Sequence, residues 1–277
     1  MIIDISDWKI DETRNASGTR EKYWLVNPET EELYLFKLPK QGTGEIWAEK
    51  VASEVGKLLG LDMMDVSLVR YKSREGLLLR NFVKYGEEEL FDGGDLLKTI
   101  VEDFDPSSLS DYNLENIISS LSPLSLEKEI IKLIVFDAFI ANQDRHCENW
   151  GVIQDASAIR FAPIYDNGAS LGFNSTEERI KLMFKDEMMF KSFTNRGYSL
   201  IGIGDRKKTK IKSLITHLYT RYPDIVSEEI ARLDHLQNKD LKHILNTIPL
   251  EIMSEAQKQW IEKLLFYRRN WLKELII

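Results

Sequence analysis

The apolar positions of this chain change period along its length. "KYWLV" (Lys22–Val26) and "ELYLFKL" (32–38) are rich in aromatic and β-favouring residues, and the turn-forming "NPETEE" separates them, so they predict a hairpin. In "GEIWAEKVASEVGKLLGL" the spacing becomes helical. Ala48, Val51, Ala52, Val55, Leu58 and Leu59 share a face, and Gly60 stops the run. "VSLVRY" and "GLLLRNFV" predict a second strand pair that turns through "KSRE". From about Tyr85 onward helical spacing takes over, in "FDGGDLLKTIVEDF", "YNLENIISSL", "SLEKEIIKLIVFDAFIAN" and most of the chain from Thr209 to the end. The exception is "WGVIQDASAIRFAPIYDNG", which reads as two short strands around a turn. A β-rich front and a helical back predict an α+β chain of two lobes. The small N-lobe takes 1–84, the mostly helical C-lobe takes 85–277, and the boundary falls at 83–88.

Composition narrows the function classes. At 277 residues the chain is one large domain or two lobes sharing a core. A single cysteine permits no internal disulfide, and a reducing cytoplasm is the simplest location, with secretion as an effector without a signal peptide as the other. The opening "MIIDISDWKIDETR" carries acids where a secretion signal carries basic residues. No apolar run approaches the ~18 residues of a membrane span. The net charge of −8 argues against bulk affinity for nucleic acid. One basic cluster, "DRKKTKIK" (205–212), reads as a solvated helix start, with a docking site for an acidic partner as the alternative.

The stretch "ANQDRHCENWGV" (141–152) packs an Asp, a His, an Asn, a Glu and the single cysteine into a few positions, preceded by the apolar run "IIKLIVFDAFI". Zinc needs several Cys or His ligands at set spacing, whereas His146 and Cys147 are adjacent and the other histidines are distant. A cysteine nucleophile needs a base and an orienting group, and adjacent side chains usually point apart, so Cys147 reads as apolar filling. Phosphoryl transfer makes demands that this chain meets in order. It needs a carboxylate near the attacking hydroxyl, ligands for Mg²⁺, a lysine on the phosphates and a backbone that covers them. Asp144 and Asn149 have the Asp-x4-Asn spacing of a kinase catalytic loop, and Asp166 opens "DNG" where protein kinases have Asp-Phe-Gly. Lys37 lies mid-strand on the face of Leu33 and Leu35, where a charge needs a partner. Glu45 and Glu49 lie on one edge of the following helix and Glu54 on the other, so the partner stays open. The loop "NASGTREKYWLV", with Ser17, Gly18 and Thr19, precedes the hairpin as a phosphate-covering loop should. Each piece has a bland reading as a cap, turn or edge charge. Their sequence order separates the kinase reading from chance.

With these motifs the chain resembles the HipA-like serine/threonine kinases, an atypical branch of the protein-kinase-like fold. The likeness is concentrated in "SGTREKYWLV", "LFKLPKQGTGEIWAEKVASEVGKLLGL", "NQDRHCENWGV" and "APIYDNGASLG". The family loop Asp-x-His-x-x-Asn is matched by Asp144, His146 and Asn149. The resemblance implies a Mg-ATP-dependent protein kinase. Asp144 would be the base, His146 would steady the loop or a phosphate, and Asn149 and Asp166 would bind Mg²⁺. Lys37, partnered by a helix glutamate such as Glu45, would contact the ATP phosphates. Backbone groups around Arg80 and Phe82 would read adenine, and Ser17 would be an autophosphorylation site. It also implies a protein substrate and an antitoxin or regulatory partner, with no direct contact to nucleic acid or membrane. The chain begins almost at the nucleotide loop, without the extra N-terminal subdomain of HipA toxins, so a toxin role does not follow. Two other readings stand beside this one. A small-molecule phosphotransferase of the antibiotic-kinase type usually begins its loop His-Gly-Asp, where this chain has Asn142-Gln143-Asp144. A nucleotide-binding pseudokinase would not need the chemical residues intact.

Overall fold

The structure, a computed structural model, describes residues 2–14 and 20–276. Its front part contains β1 (Ile3–Asp4), β2 (Lys9–Ile10), β3 (Lys22–Val26), β4 (Leu33–Lys37), α1 (Glu45–Leu58), β5 (Val66–Tyr71) and β6 (Arg74–Arg80). The strands form one sheet in the order β1-β5-β6-β4-β3-β2. Side chains alternate across a strand, and the alternation divides this sheet cleanly. Leu35, Val66, Leu68, Leu77 and Leu79 join α1 in the main core. Leu25, Phe36, Val69, Tyr71 and Leu78 face the other way and are covered by Ile5 and Trp8 of the N-terminal segment. Lys37 has the parity of Leu35, so it projects toward α1. The edge strands β1 and β2 were not foreseen from sequence; each is two exposed residues long.

Two details of this sheet differ from expectation. The β5–β6 turn is tighter than "KSRE". Lys72 and Ser73 alone turn, both at positive φ, and Arg74 and Glu75 pair within the strands. β6 also ends at Arg80, before the expected "NFV". The Asn81 side chain closes on Val83 instead, accepting from its N–H at 3.2 Å and donating to its carbonyl at 2.9 Å, which removes both groups from any ladder.

The remainder contains β7 (Glu89–Asp92), α2 (Gly93–Lys98), α3 (Leu114–Leu121), α4 (Glu127–Ile140), β8 (Gly151–Gln154) and β9 (Ile159–Phe161). These are followed by α5 (Glu177–Lys185), α6 (Glu187–Thr194), β10 (Tyr198–Ser199), β11 (Thr209–Lys210), α7 (Ile211–Arg221), α8 (Pro223–Arg232), α9 (Asn238–Asn246) and α10 (Glu255–Glu274). The apolar run of α4 is buried from Ile130 to Ile140, with Lys132 half-buried. It packs against α3, α7, α8 and α10. An all-round apolar helix belongs at the centre of a bundle, and α4 occupies that place. The result is a small curled sheet with one helix set beside a mostly helical lobe, an α+β fold.

The expected helix over "FDGGDLLKTIVEDF" is shorter than its pattern. Phe91 and Asp92 pair with Val152 and Gly151 in the sheet β7-β8-β9. The Asp92 carboxylate then accepts from the Asp95 N–H at 3.0 Å and starts α2 there. The basic cluster is likewise not a helix start over its full length. Thr209 and Lys210 form β11, and α7 begins only at Ile211.

Candidate active site

α4 ends at Ala141, whose positive φ of 56° breaks the helix. The chain then folds into the loop 142–149. Asn142 donates to Asp137 Oδ1 at 3.0 Å and accepts from the Asp144 N–H at 3.1 Å. The Asn149 amide reaches back to the Asp144 carbonyl at 3.1 Å, and the His146 N–H donates to the same carbonyl at 2.9 Å. Backbone bonds therefore fix Asp144 from both sides, while its side chain is exposed. Asn149 uses its amide donor in this bond and keeps its carbonyl oxygen as an acceptor, the atom type a hard cation takes. His146 is half-buried, with Nδ1 3.7 Å from Glu148 Oε2.

The second segment arrives from β9. Ile164 bridges Met63 in parallel register, donating to the Asp62 carbonyl at 2.8 Å and accepting from the Met64 N–H at 3.0 Å. This carries Asp166 beneath α1. Asp166 sits at φ 55°, in the left-handed region that few non-glycine residues occupy. Its Oδ1 accepts from Lys37 Nζ at 2.8 Å, and Glu45 Oε1 lies 3.6 Å from the same ammonium. Glu45 Oε2 in turn accepts from the Lys40 N–H at 2.7 Å and from Arg20 Nε at 3.3 Å. The open choice of helix glutamate is thereby narrowed. Glu45 pairs directly with Lys37, whereas Glu54 pairs with Lys50 at 2.8 Å.

Burial by itself would lower the Lys37 pKa, but the charges of Asp166, Glu49 and Glu45 outweigh it and hold the ammonium above its usual range. Burial likewise pushes Asp166 up, and the Lys37 charge and hydrogen bond, with Arg145 and His146 behind them, bring it below the usual carboxylate range. Lys37 and Asp166 are thus both held in their charged forms. Glu49 behaves oppositely. It is fully enclosed, and burial followed by the Asp166 charge drives its carboxyl upward. Its Oε1 accepts from the Asn167 N–H at 2.9 Å, and its Oε2 has no hydrogen-bond partner.

A buried arginine joins the two segments, and the sequence reading missed it. Arg145 donates to both oxygens of Asp137 at 2.9 Å, to the Asn149 carbonyl at 2.7 Å, to the Asn167 side-chain oxygen at 2.7 Å, and to the Tyr165 carbonyl. The Tyr112 hydroxyl donates to the Arg145 carbonyl at 2.9 Å. One signal for this network was in the sequence. Asp137 is the only carboxylate in the apolar run 130–140, and a buried charge requires a partner.

The other expected residues fall as follows. Phe82 packs against Tyr165 with ring centroids 5.5 Å apart and planes tilted by 33°, beside the metal-ligand candidate Asp166. The Arg80 N–H is spent on the Asp65 carbonyl at 3.0 Å, and its guanidinium pairs with Glu32 on the surface. Ser17, Gly18 and Thr19 lie outside the described residues. Cys147 is buried, and burial pushes its thiol up to about 11, as a packing residue rather than a nucleophile. Among the described residues no cluster of three His, Cys, Asp or Glu side chains forms a protein-only metal cage. Asp166 and Asn149 instead offer two oxygen donors on facing segments, which suits a cation that completes its shell with substrate phosphates and water.

The turn after Asp166 leaves no spare room. A Cβ on Gly168 would stand 2.8 Å from Glu45 Cγ and 3.3 Å from Glu49 Oε2. Gly168→Ala should therefore push the Glu45 side chain aside and disturb the Lys37–Glu45 pair. A shift of about 1 Å at such a site costs up to ~10²-fold in rate, so phosphate transfer should fall roughly 10- to 100-fold in a protein that still folds, measured by turnover and circular dichroism.

The model of the HipA-like C-terminal domain matches residues 15–257. This chain belongs to that family. The HipA-like chain is 23% identical over 273 residues to the serine/threonine-protein kinase CtkA of Helicobacter pylori, covering 92% of this chain and 80% of CtkA. A crystal structure of the H. pylori proinflammatory kinase CtkA superposes with a TM-score of 0.85 at 22% identity, over 100% of this chain and 97% of that one. HipA of Shewanella oneidensis, solved with HipB and operator DNA, matches with a TM-score of 0.58 at 13% identity, over 98% of this chain and 68% of that one. These structures share the two-lobed kinase-like fold, and the HipA-like chain is an enzyme of the kinase class.

Proposed function

We propose that this HipA-like enzyme is a Mg-ATP-dependent serine/threonine protein kinase. The observation that carries the reading is the ion pair of Lys37 with Asp166, 129 residues apart and 2.8 Å in contact, with Glu45 beside it. A strand lysine held at a fixed place by two carboxylates is the arrangement needed to grip a polyphosphate. Lys37 then binds phosphate oxygens while Glu45 keeps its ammonium in place. Asn149 and Asp166 would hold Mg²⁺, which when bound neutralises phosphate charge. Asp144 orients the acceptor hydroxyl and takes its proton as the oxygen attacks the γ-phosphorus. The bond from that phosphorus to the β-γ bridging oxygen breaks, and ADP leaves. The backbone around Arg80 and Phe82 is assigned to adenine. The segment 15–19 is assigned to the phosphates, with Ser17 as an autophosphorylation site.

HipA of Shewanella was solved with HipB and DNA, and for this chain a regulatory protein partner of antitoxin type is the corresponding proposal. Among the described residues no helix is long and apolar enough to cross a membrane, and a cytoplasmic location is proposed on the single reduced cysteine. The test is transfer of γ-phosphate from labelled ATP, with mass spectrometry of the acceptor. Phosphoserine or phosphothreonine on protein is the expected product. Phosphorylation of an aminoglycoside or choline-like acceptor in place of protein would overturn the reading.

A further inference from the structure

The cluster 205–212 has no part in the chemistry above. It sets five cations against one acid in a chain whose net charge is −8. Arg206, Lys207, Lys208, Lys210 and Lys212 are all exposed. Among the described residues none of the five forms an ion pair, and Lys207 gives its ammonium to the Ser108 carbonyl at 3.2 Å. A carboxylate on this face, Glu115, is already taken by His217 at 3.0 Å, Arg221 at 3.1 Å and the Gly204 N–H at 3.1 Å. An open groove of about 590 Å³ runs along α7, lined by Arg206, Lys212, His217, Ser213, Thr216 and Thr220.

Two tethers fix this face to the catalytic loop. Lys210 pairs with Tyr198 in the β10–β11 hairpin, and the Tyr198 N–H donates to the side chain of Gln143, the neighbour of Asp144, at 3.2 Å. Beyond β10, the Gly202 N–H donates to the Tyr112 carbonyl at 2.9 Å, and the Tyr112 hydroxyl holds the Arg145 carbonyl. The unpaired cations are therefore set at a fixed offset from the residue that receives the acceptor hydroxyl.

We infer that this basic hairpin face docks an acidic segment of the protein substrate and so presents a serine or threonine to Asp144; the inference rests on the kinase reading. Charge complementarity selects the occupant. An unpaired positive patch attracts a short acidic segment, whereas a long nucleic acid would also meet the field of a protein with net charge −8. The contacts are exposed, so they act mainly on encounter and KM and weaken with salt.

The test uses the full chain and two fluorescein-labelled 20-residue peptides sharing one serine, one rich in Glu and the other with Gln at those positions. The Glu peptide should bind at least tenfold more tightly, with the preference fading as salt rises. In Arg206→Glu/Lys208→Glu/Lys212→Glu the KM for the Glu peptide should rise at least tenfold. The kcat and the labelling of the Gln peptide should not change, which also shows that the variant folds. Equal binding of the two peptides, an unchanged KM in the variant, or tighter binding of a 20-nucleotide RNA would each overturn the docking face. Charge-dependent binding with no phosphate transfer to any acceptor would instead sink the kinase reading and leave the docking of an acidic segment supported.

Discussion

Asp144→Asn should lower kcat for phosphate transfer by about 10²- to 10⁴-fold, the usual contribution of a positioned general base. KM for ATP should stay close to that of the wild type. The split follows from the geometry. The Asp144 carbonyl and N–H hold the loop through Asn149, His146 and Asn142, and those bonds use only the backbone atoms of Asp144, which the amide variant retains. The exposed carboxylate is left for the acceptor hydroxyl alone. Lys37, Glu45 and Asp166, to which the nucleotide grip is assigned under the proposed function, lie on other segments. Stability should also move little, within ~0.5 kcal/mol as for most exposed substitutions. An interaction made only in the transition state shows this signature of lost kcat with retained KM. Labelling that survives at wild-type rate would remove Asp144 from the mechanism. A parallel loss of ATP affinity would mean that it holds nucleotide rather than acceptor.

What the sequence discloses depends on the range over which each signal acts. The β3–β4 hairpin, α1 and α4 are written in local periodicity, and their boundaries fall where the pattern ends. The Asp-x4-Asn spacing and "DNG" are local too, which is why Asp144, Asn149 and Asp166 stand out from the sequence alone. Lys37 was found through a local contradiction, a charge on an apolar strand face, and the sheet parity explains its aim at α1. Misreadings occur where a distant segment outbids local preference. Phe91 and Asp92 have helical spacing, but β8 supplies a ladder sixty residues away. Thr209 and Lys210 read as a helix start, but β10 captures them. The choice among Glu45, Glu49 and Glu54 could not be made from one helix, because it depends on where Asp166 and Lys40 lie. The role of Arg145 was hidden for the same reason. Its acceptors come from α4, the catalytic loop and the segment after β9.

Asp137→Ala should destabilise the fold by about 3–5 kcal/mol, the cost of removing one partner from a buried ion pair. Against a typical total of ~5–15 kcal/mol this is a large share. The Arg145 side chain is only 2% exposed, so its guanidinium would keep its charge with neither water nor its paired carboxylate to meet it. Asn142 would lose its acceptor in the same change. Asp137→Asn separates fold from function, because the amide oxygen still accepts one arginine N–H while the charge is gone. It should lose less stability than the alanine variant. Yet it should still lower kcat at a temperature where it is fully folded, because Arg145 fixes Asn149 and Tyr165–Asn167 relative to one another. In the proposed mechanism those two segments carry the acceptor side and the phosphate side of the reaction, and misplacing one against the other is costly even at about 1 Å. Urea unfolding gives the stability arm, and turnover of the folded variant gives the other. If Asp137→Ala unfolds at wild-type urea concentration, the pair contributes little to the fold. If folded Asp137→Asn turns over at wild-type rate, Arg145 holds the lobe together without positioning the site. Loss in both measurements would mean that the one acid of the apolar run 130–140 is what sets the loop 142–149 and the Asp166 turn in register.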